Sequence, residues 1–246
     1  MFGKSKNGFH MDDHLVTLTD PKSIAAEQYR VLRSRIEHLS LDKGFRTFVI
    51  TSPVVGEGKS TTAANLALSM AHSKDKRVVL VDCDLRRPTL HTLLGIKMKE
   101  GVVDILEEKA TLSSALTPIH DPTLANPLYF LPAGRTHSLS PEWLSSAKME
   151  NLIAALSQQF DFVFFDTPPI LPLADSAVLG GRVDGSLLVI RAGKTSLEVL
   201  TMAMESIDLQ NWVGVILNGV DFVSSSRYGS VYAMYQKTYY GQGVKG

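Results

Sequence analysis

Residues 48–71 read FVITSPVVGEGKSTTAANLALSMA, and this stretch decides the fold. Its apolar start and its alanine- and leucine-rich end predict a buried strand over 45–51 and a helix over 60–73, joined by a loop. Gly56 and Gly58 allow the loop to turn successive backbone N–H groups inward, which creates an anion site at a helix N-terminus. We therefore predict a phosphate-binding loop.

The end of the loop indicates which ligand it takes. Lys59 can reach the β- and γ-phosphates of a nucleotide, and the Ser60 hydroxyl can ligate Mg²⁺. We predict that ATP and Mg²⁺ bind at this loop. The predicted contacts are Gly56, Glu57, Gly58, Lys59, Ser60 and Thr61.

Two positions in the loop depart from related patterns. The strict phosphate-loop pattern has glycine where this chain has Pro53. Partition and septum-placement ATPases carry a signature lysine five residues before the loop lysine, and that residue is Val54 here. The sequence therefore argues against that class of ATPase.

The rest of the chain contains further strand patterns of the same kind. They are short, apolar and not alternating, and helical patterns separate them, as in a parallel sheet that is buried on both faces. We predict an α/β fold over residues 44–222, a P-loop NTPase-type parallel β-sheet with helices covering both faces. The predicted strands are 77–82, 128–131, 162–166, 186–191 and 213–217, and the predicted helices are 147–159, 174–181 and 195–209.

Three carboxylates follow predicted strands. Asp82 and Asp84 close VVLVDCD, and Asp166 closes FVFFD in the manner of a Walker B aspartate. The carboxyl ends of parallel strands are where α/β folds bind ligands, so we expect all three near the loop, managing a cation or a proton. One of Asp82 and Asp84 has an alternative role as a cap of the following turn.

Two other strand-end residues have modest roles. Cys83 lies between carboxylates, which should raise its thiol pKa, and we interpret it as a small structural residue. Asn218 ends VGVILN, and contact with adenine and a plain turn role in Asn-Gly are about equally good interpretations.

The N-terminal region, residues 1–43, is predicted to be an arm outside the main domain. Residues 1–16 are polar and irregular and are predicted to be mobile, and Asp20-Pro21 predicts a helix start. The polar side of this helix carries Glu27, Arg30 and Arg33. These residues form either an assembly contact or simple ion pairs along the helix surface.

Bulk composition excludes several functions. Lys and Arg together number 25, as do Asp and Glu, so the zero net charge gives no reason to expect a nucleic-acid partner. The single cysteine rules out an internal disulfide and Cys-rich zinc sites. No stretch approaches the roughly 18 apolar residues of a membrane span.

The C-terminal segment, residues 223–246, is predicted to be a mobile tail. It is rich in Ser, Gly and Tyr, and it holds five of the seven tyrosines. They can be phosphate acceptors, an aromatic segment that docks on a partner, or one face of a helix that packs on the core. From the residues alone, docking and packing are better supported than phosphorylation. The five are Tyr228, Tyr232, Tyr235, Tyr239 and Tyr240.

Together these motifs resemble the bacterial tyrosine kinases of polysaccharide export, the BY-kinase family, over nearly the whole chain. The family's Walker A, Walker A′ and Walker B motifs match Ser52–Thr61, Val78–Arg86 and Val163–Asp166. Its Glu-x-x-Arg-x-x-Arg motif matches Glu27, Arg30 and Arg33, and its tyrosine cluster matches the tail. Each match is weak alone, whereas the ordered set is specific.

The resemblance implies a protein-tyrosine autokinase that regulates exopolysaccharide or capsule synthesis and export. Lys59 would hold phosphates, Ser60, Asp84 and Asp166 would organise Mg²⁺, and Asp82 would accept the tyrosine proton. The five tail tyrosines would be the phosphoacceptors of neighbouring subunits, in ring-like homo-oligomers formed through Glu27, Arg30 and Arg33.

The resemblance also implies partners and a location. A transmembrane chain-length or activator protein is expected, and Met1 favours a separate activator chain over a fused one. An opposing tyrosine phosphatase is expected as well. The chain would then be cytoplasmic and held at the inner face of the cell membrane by its partner.

Two other functions compete with the kinase. One is a non-kinase P-loop ATPase switch of the partition or septum-placement class, against which Val54 argues. The other is an ATP-binding scaffold that assembles and uses its tail as a docking peptide, against which Asp82, Asp84 and Asp166 argue.

Overall fold

A computed structural model describes residues 11–135, 140–171, 173–206 and 211–221. Strands and helices alternate along most of this length. The strands are β1 (Thr47–Thr51), β2 (Val78–Asp82), β3 (Thr117–Ile119), β4 (Leu128–Leu131), β5 (Phe162–Asp166), β6 (Gly185–Arg191) and β7 (Trp212–Asn218). The helices are α1 (Val16–Thr19), α2 (Ile24–Lys43), α3 (Lys59–Ala71), α4 (Leu90–Leu93), α5 (Val102–Leu106), α6 (Leu112–Ala115), α7 (Ser140–Leu144), α8 (Ala147–Gln159), α9 (Asp175–Gly180) and α10 (Leu197–Glu205).

Within the described residues, the strands form one sheet in the order β3-β4-β2-β5-β1-β6-β7. All neighbours are parallel except β3, which runs antiparallel to β4 at one edge. The predicted α/β fold is therefore confirmed, with one antiparallel strand added. Because β1 lies between β5 and β6, the loop after β1 opens at the edge where their carboxyl ends converge.

The apolar strands are buried because helices cover both faces of the sheet. One core cluster packs Phe48 and Phe164 beneath α2 and α3, and these two rings stack with centroids 5.7 Å apart. A second cluster on the other face packs Val49 and Phe165 against residues of α8 and α9. Such two-sided burial explains why the strands contain continuous apolar runs.

Most predicted elements are present, with small shifts at their ends. The sequence did not predict β3 or the short helices α1, α4, α5, α6 and α7. A helix of four or five residues is too short to show a helical period. The sequence pattern argued against a strand at β3 because the segment contains Pro118. Proline donates no ladder hydrogen bond and is tolerated mainly in an edge strand, which is where β3 lies.

The start of the chain differs from the prediction. Ser23, and not Asp20, is the N-cap of α2, and its hydroxyl accepts from the Ala26 N–H at 3.2 Å. Residues 11–16 were predicted to be irregular and mobile, yet Leu15 is fully buried in the core and Val16 begins α1. The stretch has only three apolar residues, Met11, Leu15 and Val16, which are too few to show a period, so the sequence pattern missed the burial of Leu15.

The predicted mobile tail, with its five tyrosines, lies outside the described residues, as do residues 1–10. The division of the chain at residues 43 and 222 stays a prediction. Across the described ranges, no helix is long and apolar enough to span a membrane.

Candidate active site

The phosphate loop depends on two glycines with left-handed backbone. Gly56 and Gly58 both have φ of +88°. Gly58 is also the N-cap of α3, so the first N–H groups of that helix face the loop. A Cβ at Gly58 would lie 2.1 Å from Nδ2 of Asn218, which leaves no room for a side chain. The loop thus combines a nest of amides with a helix N-terminus, an arrangement that suits phosphate.

Glu57 anchors the loop from behind. Its side chain is buried, and its carboxylate accepts from the Arg191 backbone N–H and from the Thr195 hydroxyl, the latter at 2.6 Å. Any contact of Glu57 with phosphate would therefore come from its backbone. Arg191 and Thr195 were not assigned from the sequence, although Arg191 is the last residue of β6 and Thr195 lies just after it, at the carboxyl edge of the sheet.

Asn218 holds the other side of the loop. Its Nδ2 donates to the Glu57 carbonyl at 2.9 Å, and its Oδ1 accepts from the Gly219 N–H at 2.8 Å. The second contact is the turn role that the sequence allowed for Asn218. Contact with adenine stays a prediction.

Lys59 and two of the predicted carboxylates meet at the mouth of the loop. The Lys59 ammonium lies 3.2 Å from Oδ2 of Asp84 and 3.4 Å from Oδ1 of Asp166. It also lies 3.2 Å from the Ser60 hydroxyl oxygen. The structure thus brings Lys59, Ser60, Asp84 and Asp166 together, while their catalytic roles stay predictions.

Asp82 is placed deeper than the other two carboxylates. It is fully buried, and its two oxygens accept from the backbone N–H groups of Asp84 and Leu90, both at 3.2 Å. These contacts fix the turn that follows β2, which is the capping role allowed for one of the pair. Burial, reinforced by the charge of Asp166, raises the pKa of Asp82 to about 8.

The neighbouring groups also have shifted pKa values. Burial lowers the pKa of Lys59, but the charges of Asp166 and Asp84 outweigh it, so the net shift is upward. Burial raises the pKa of Asp166 despite the opposing charge of Lys59. Burial also raises the pKa of the Cys83 thiol well above its usual range, with Asp82 contributing, as the sequence predicted. Cys83 is therefore a poor nucleophile.

Two polar contacts at the site were not assigned from sequence. The Thr89 hydroxyl donates to the Ser60 hydroxyl at 3.4 Å. Arg86, the arginine of the Walker A′ pattern, lies 3.4 Å from the buried Asp175 at the start of α9. Arg86 thereby ties the segment after β2 to the segment after β5.

The residues of the predicted assembly motif have partners within the same chain. Glu27 and Arg30 form an ion pair one helical turn apart, as the surface-pair interpretation allowed. Arg33 Nη1 donates to the Ser69 carbonyl of α3 at 2.9 Å. The structure thus shows intrachain contacts for all three, and their assembly role stays a prediction.

The donor set around the loop fits Mg²⁺. One hydroxyl and two carboxylates converge there, and Mg²⁺ is usually held by one or two carboxylates together with substrate phosphates. No group of three or more His, Cys, Asp or Glu side chains in the described residues has the geometry of a self-sufficient metal site. Mg²⁺ held by Ser60, Asp84 and Asp166 would share its coordination with the phosphates of a bound nucleotide.

Sequence comparisons agree with this geometry. A family model described as an AAA domain matches residues 46–211. The tyrosine-protein kinase YwqD of Bacillus subtilis is 38% identical over 92% of this chain and 94% of its own length. The tyrosine-protein kinase Wzc of Salmonella typhi is 32% identical over 86% of this chain, which spans only 29% of that longer protein.

Solved structures show the same likeness. The kinase domain of the Escherichia coli tyrosine kinase ETK has a TM-score of 0.77 and 28% identity over 84% of this chain and 80% of that one. The chimerical protein CapA2B2 has a TM-score of 0.74 and 27% identity, over 83% of this chain and 90% of that one. Cyanothece McdA, at 20% identity and a TM-score of 0.56 over 78% of this chain and 81% of that one, shares only the fold.

Proposed function

Since the chain belongs to the bacterial tyrosine-kinase (BY-kinase) family of P-loop proteins, we propose that it is an ATP- and Mg²⁺-dependent protein-tyrosine autokinase. Its phosphoacceptors are the tail tyrosines of neighbouring subunits. The observation that carries the proposal is the meeting of Lys59, Asp84 and Asp166 at the mouth of the loop. Phosphoryl transfer requires mainly positioning and charge neutralisation, and these groups supply both.

The loop and Lys59 bind the nucleotide phosphates. The amides of the loop and of the first turn of α3 point toward the phosphate position, and Lys59 can exchange its carboxylate partners for phosphate oxygens. Ser60, Asp84 and Asp166 are then the residues that would hold Mg²⁺. When bound there, Mg²⁺ supplies positive charge that neutralises the phosphates.

Asp82 is the proposed acceptor of the tyrosine proton. The phenol oxygen bonds to the γ-phosphorus, the bond to the β,γ-bridging oxygen breaks, ADP leaves, and the phenol proton passes to the Asp82 carboxylate. Without nucleotide and metal, a pKa of about 8 keeps Asp82 largely protonated at neutral pH. The positive charge of Mg²⁺ held by Asp84 and Asp166 would lower that pKa and leave the Asp82 carboxylate able to accept the proton. Its contacts with the Asp84 and Leu90 amides hold it in place.

The resemblance supports an assembly and partners. We propose a ring-like homo-oligomer with contacts from Glu27, Arg30 and Arg33, a transmembrane activator and an opposing phosphatase. The kinase would regulate exopolysaccharide or capsule synthesis at the inner face of the cell membrane. The ATPase-switch alternative has less support, because Val54 replaces its signature lysine.

One experiment tests the proposed chemistry. Purified protein is incubated with ATP and Mg²⁺, and phosphate is located by mass spectrometry, with Lys59→Met as the inactive control. We expect phosphotyrosine in residues 223–246 of the wild type and none in the variant. If the wild type gains no tail phosphotyrosine even with an activator fragment present, the kinase proposal is wrong.

A further inference from the structure

A groove runs along the seam between α2 and β7, away from the mouth of the phosphate loop. Two adjoining cavities form it, of about 390 Å³ and 280 Å³, and both are lined by Leu32, Arg35 and Val215. The larger one extends to Thr62 on α3 and to Asn218, the residue that holds the loop. The groove therefore connects the surface of α2 with the back of the nucleotide site.

The walls of the groove expose apolar side chains. Val31 on α2 is 41% exposed, and Val215 and Leu217 on β7 are 43% and 56% exposed. Burying such side chains stabilises by about 25 cal/mol for each Å² of apolar surface removed from water. The wall also holds Arg35, whose guanidinium can stack on an aromatic ring. An amphipathic aromatic segment fits this combination.

We propose that the groove binds the C-terminal segment of the same chain, residues 222–246. The described chain ends at Asp221, directly after Val220, which itself lines the groove. The segment that follows therefore starts at the end of the groove, at a local concentration of roughly millimolar or more. It carries five tyrosines, so it brings rings that can pack on the apolar walls and stack on the Arg35 guanidinium.

This proposal goes beyond the kinase chemistry. A tail that occupies its own groove keeps its tyrosines behind the nucleotide site of the same subunit and away from the site of a neighbour. The groove contact is thus a second use of the tyrosine rings, independent of their role as phosphate acceptors. It can be tested in protein that never meets ATP.

Thiol labelling of the full-length chain provides that test. Leu217→Cys, or Val215→Cys as a second reporter, places a thiol in the groove wall. Leu41→Cys is the matched control, because Leu41 lies on α2, is 82% exposed and is outside both cavities. Native Cys83 is fully buried and adds little background. Each reporter is combined with the native tail, with all five tail tyrosines changed to Phe, or with all five changed to Ser.

We expect the groove thiols to react at least about fivefold more slowly with the native and Phe tails than with the Ser tail, since docking excludes the reagent in proportion to its occupancy. Leu41→Cys should react at one rate with all three tails. Protection should not change on dilution, because the contact is within one chain. Equal groove rates with all tails would overturn the proposal. Protection that dilutes away would also overturn it, since a second copy would then be the occupant.

Discussion

The guanidinium of Arg33 on α2 donates a hydrogen bond to the backbone carbonyl of Ser69, 2.9 Å away in the last turn of α3. The Ser69 carbonyl lacks the usual donor four residues on and accepts instead from the His72 N–H at 3.3 Å. A cation at this end of the helix complements the helix dipole. The N-terminus of the same helix forms the phosphate site. One residue of the predicted assembly motif is therefore joined to the helix that binds the nucleotide.

We predict that Arg33→Ala lowers the free energy of unfolding by about 1 kcal/mol, because it removes a charge-assisted hydrogen bond. Lys148→Ala is the control for an exposed ion pair. The Lys148 ammonium lies 3.0 Å from a carboxylate oxygen of Glu108, both side chains are exposed, and such pairs contribute about 0.5 kcal/mol or less. Urea unfolding of monomeric protein measures both. Equal losses of unfolding free energy in the two variants would show that the hydrogen bond to Ser69 stabilises no more than an exposed ion pair.

We predict that Glu57→Ala weakens ADP binding about tenfold or more, because it removes the buried carboxylate that ties the loop to the Arg191 N–H and the Thr195 hydroxyl. Those two groups would still contact each other but would no longer hold the loop. Glu57→Gln keeps an acceptor oxygen and should lose much less. Calorimetric titration with ADP measures the affinity without turnover. If Gln and Ala lose affinity equally, the negative charge of Glu57, and not its hydrogen bonds, positions the loop.

We predict that Gly58→Ala abolishes nucleotide binding. The new Cβ would meet Asn218 Nδ2 at 2.1 Å, and the backbone conformation is unfavourable for alanine as well. Gly44→Ala is the control for strain alone, because Gly44 has a φ of +73° and no atom within 4 Å of the new Cβ. It should cost about 1 kcal/mol of stability and leave ADP binding unchanged. Retained ADP affinity in Gly58→Ala would contradict the close packing against Asn218.

The raised pKa of Asp82 predicts how stability depends on pH in protein free of metal and nucleotide. The folded state holds this proton up to about pH 8, whereas an unfolded aspartate releases it near ~3.9. The contribution of the protonated group is thus complete below the unfolded pKa and is lost as the pH rises through the folded pKa. Through this group, denaturant midpoints should therefore fall progressively from about pH 4 to about pH 8 and level off above it, and they should fall less in Asp82→Asn. If the denaturant midpoint falls equally with pH in the wild type and in Asp82→Asn, the raised pKa does not belong to Asp82.

Much of the fold could be predicted from local sequence. Strand β5 and helix α8 lie where the sequence predicted them, because a continuous apolar run and a helical period are both local signals. The edge strand β3 could not be predicted. Its three residues include Pro118, and only its place at the edge of the sheet makes that residue acceptable.

The candidate site also contains residues that the sequence could predict and residues that it could not. The positions of Lys59, Ser60 and the three aspartates follow from motifs, since each motif is a strand end with a short loop. The role of Glu57 does not, because its partners Arg191 and Thr195 lie far along the chain.

By itself, the sequence determined that a phosphate loop follows β1, that Asp82, Asp84 and Asp166 close two other strands, and that a tyrosine-rich tail comes last. Only the tertiary structure decided what holds the loop and how α2 is joined to α3. The physical reason is the strand order: β6 is the immediate neighbour of β1, with β7 beyond it, so Arg191 and Asn218 come to lie against Glu57. Local sequence patterns specify each strand, whereas the order in which strands pair decides which loop residues meet.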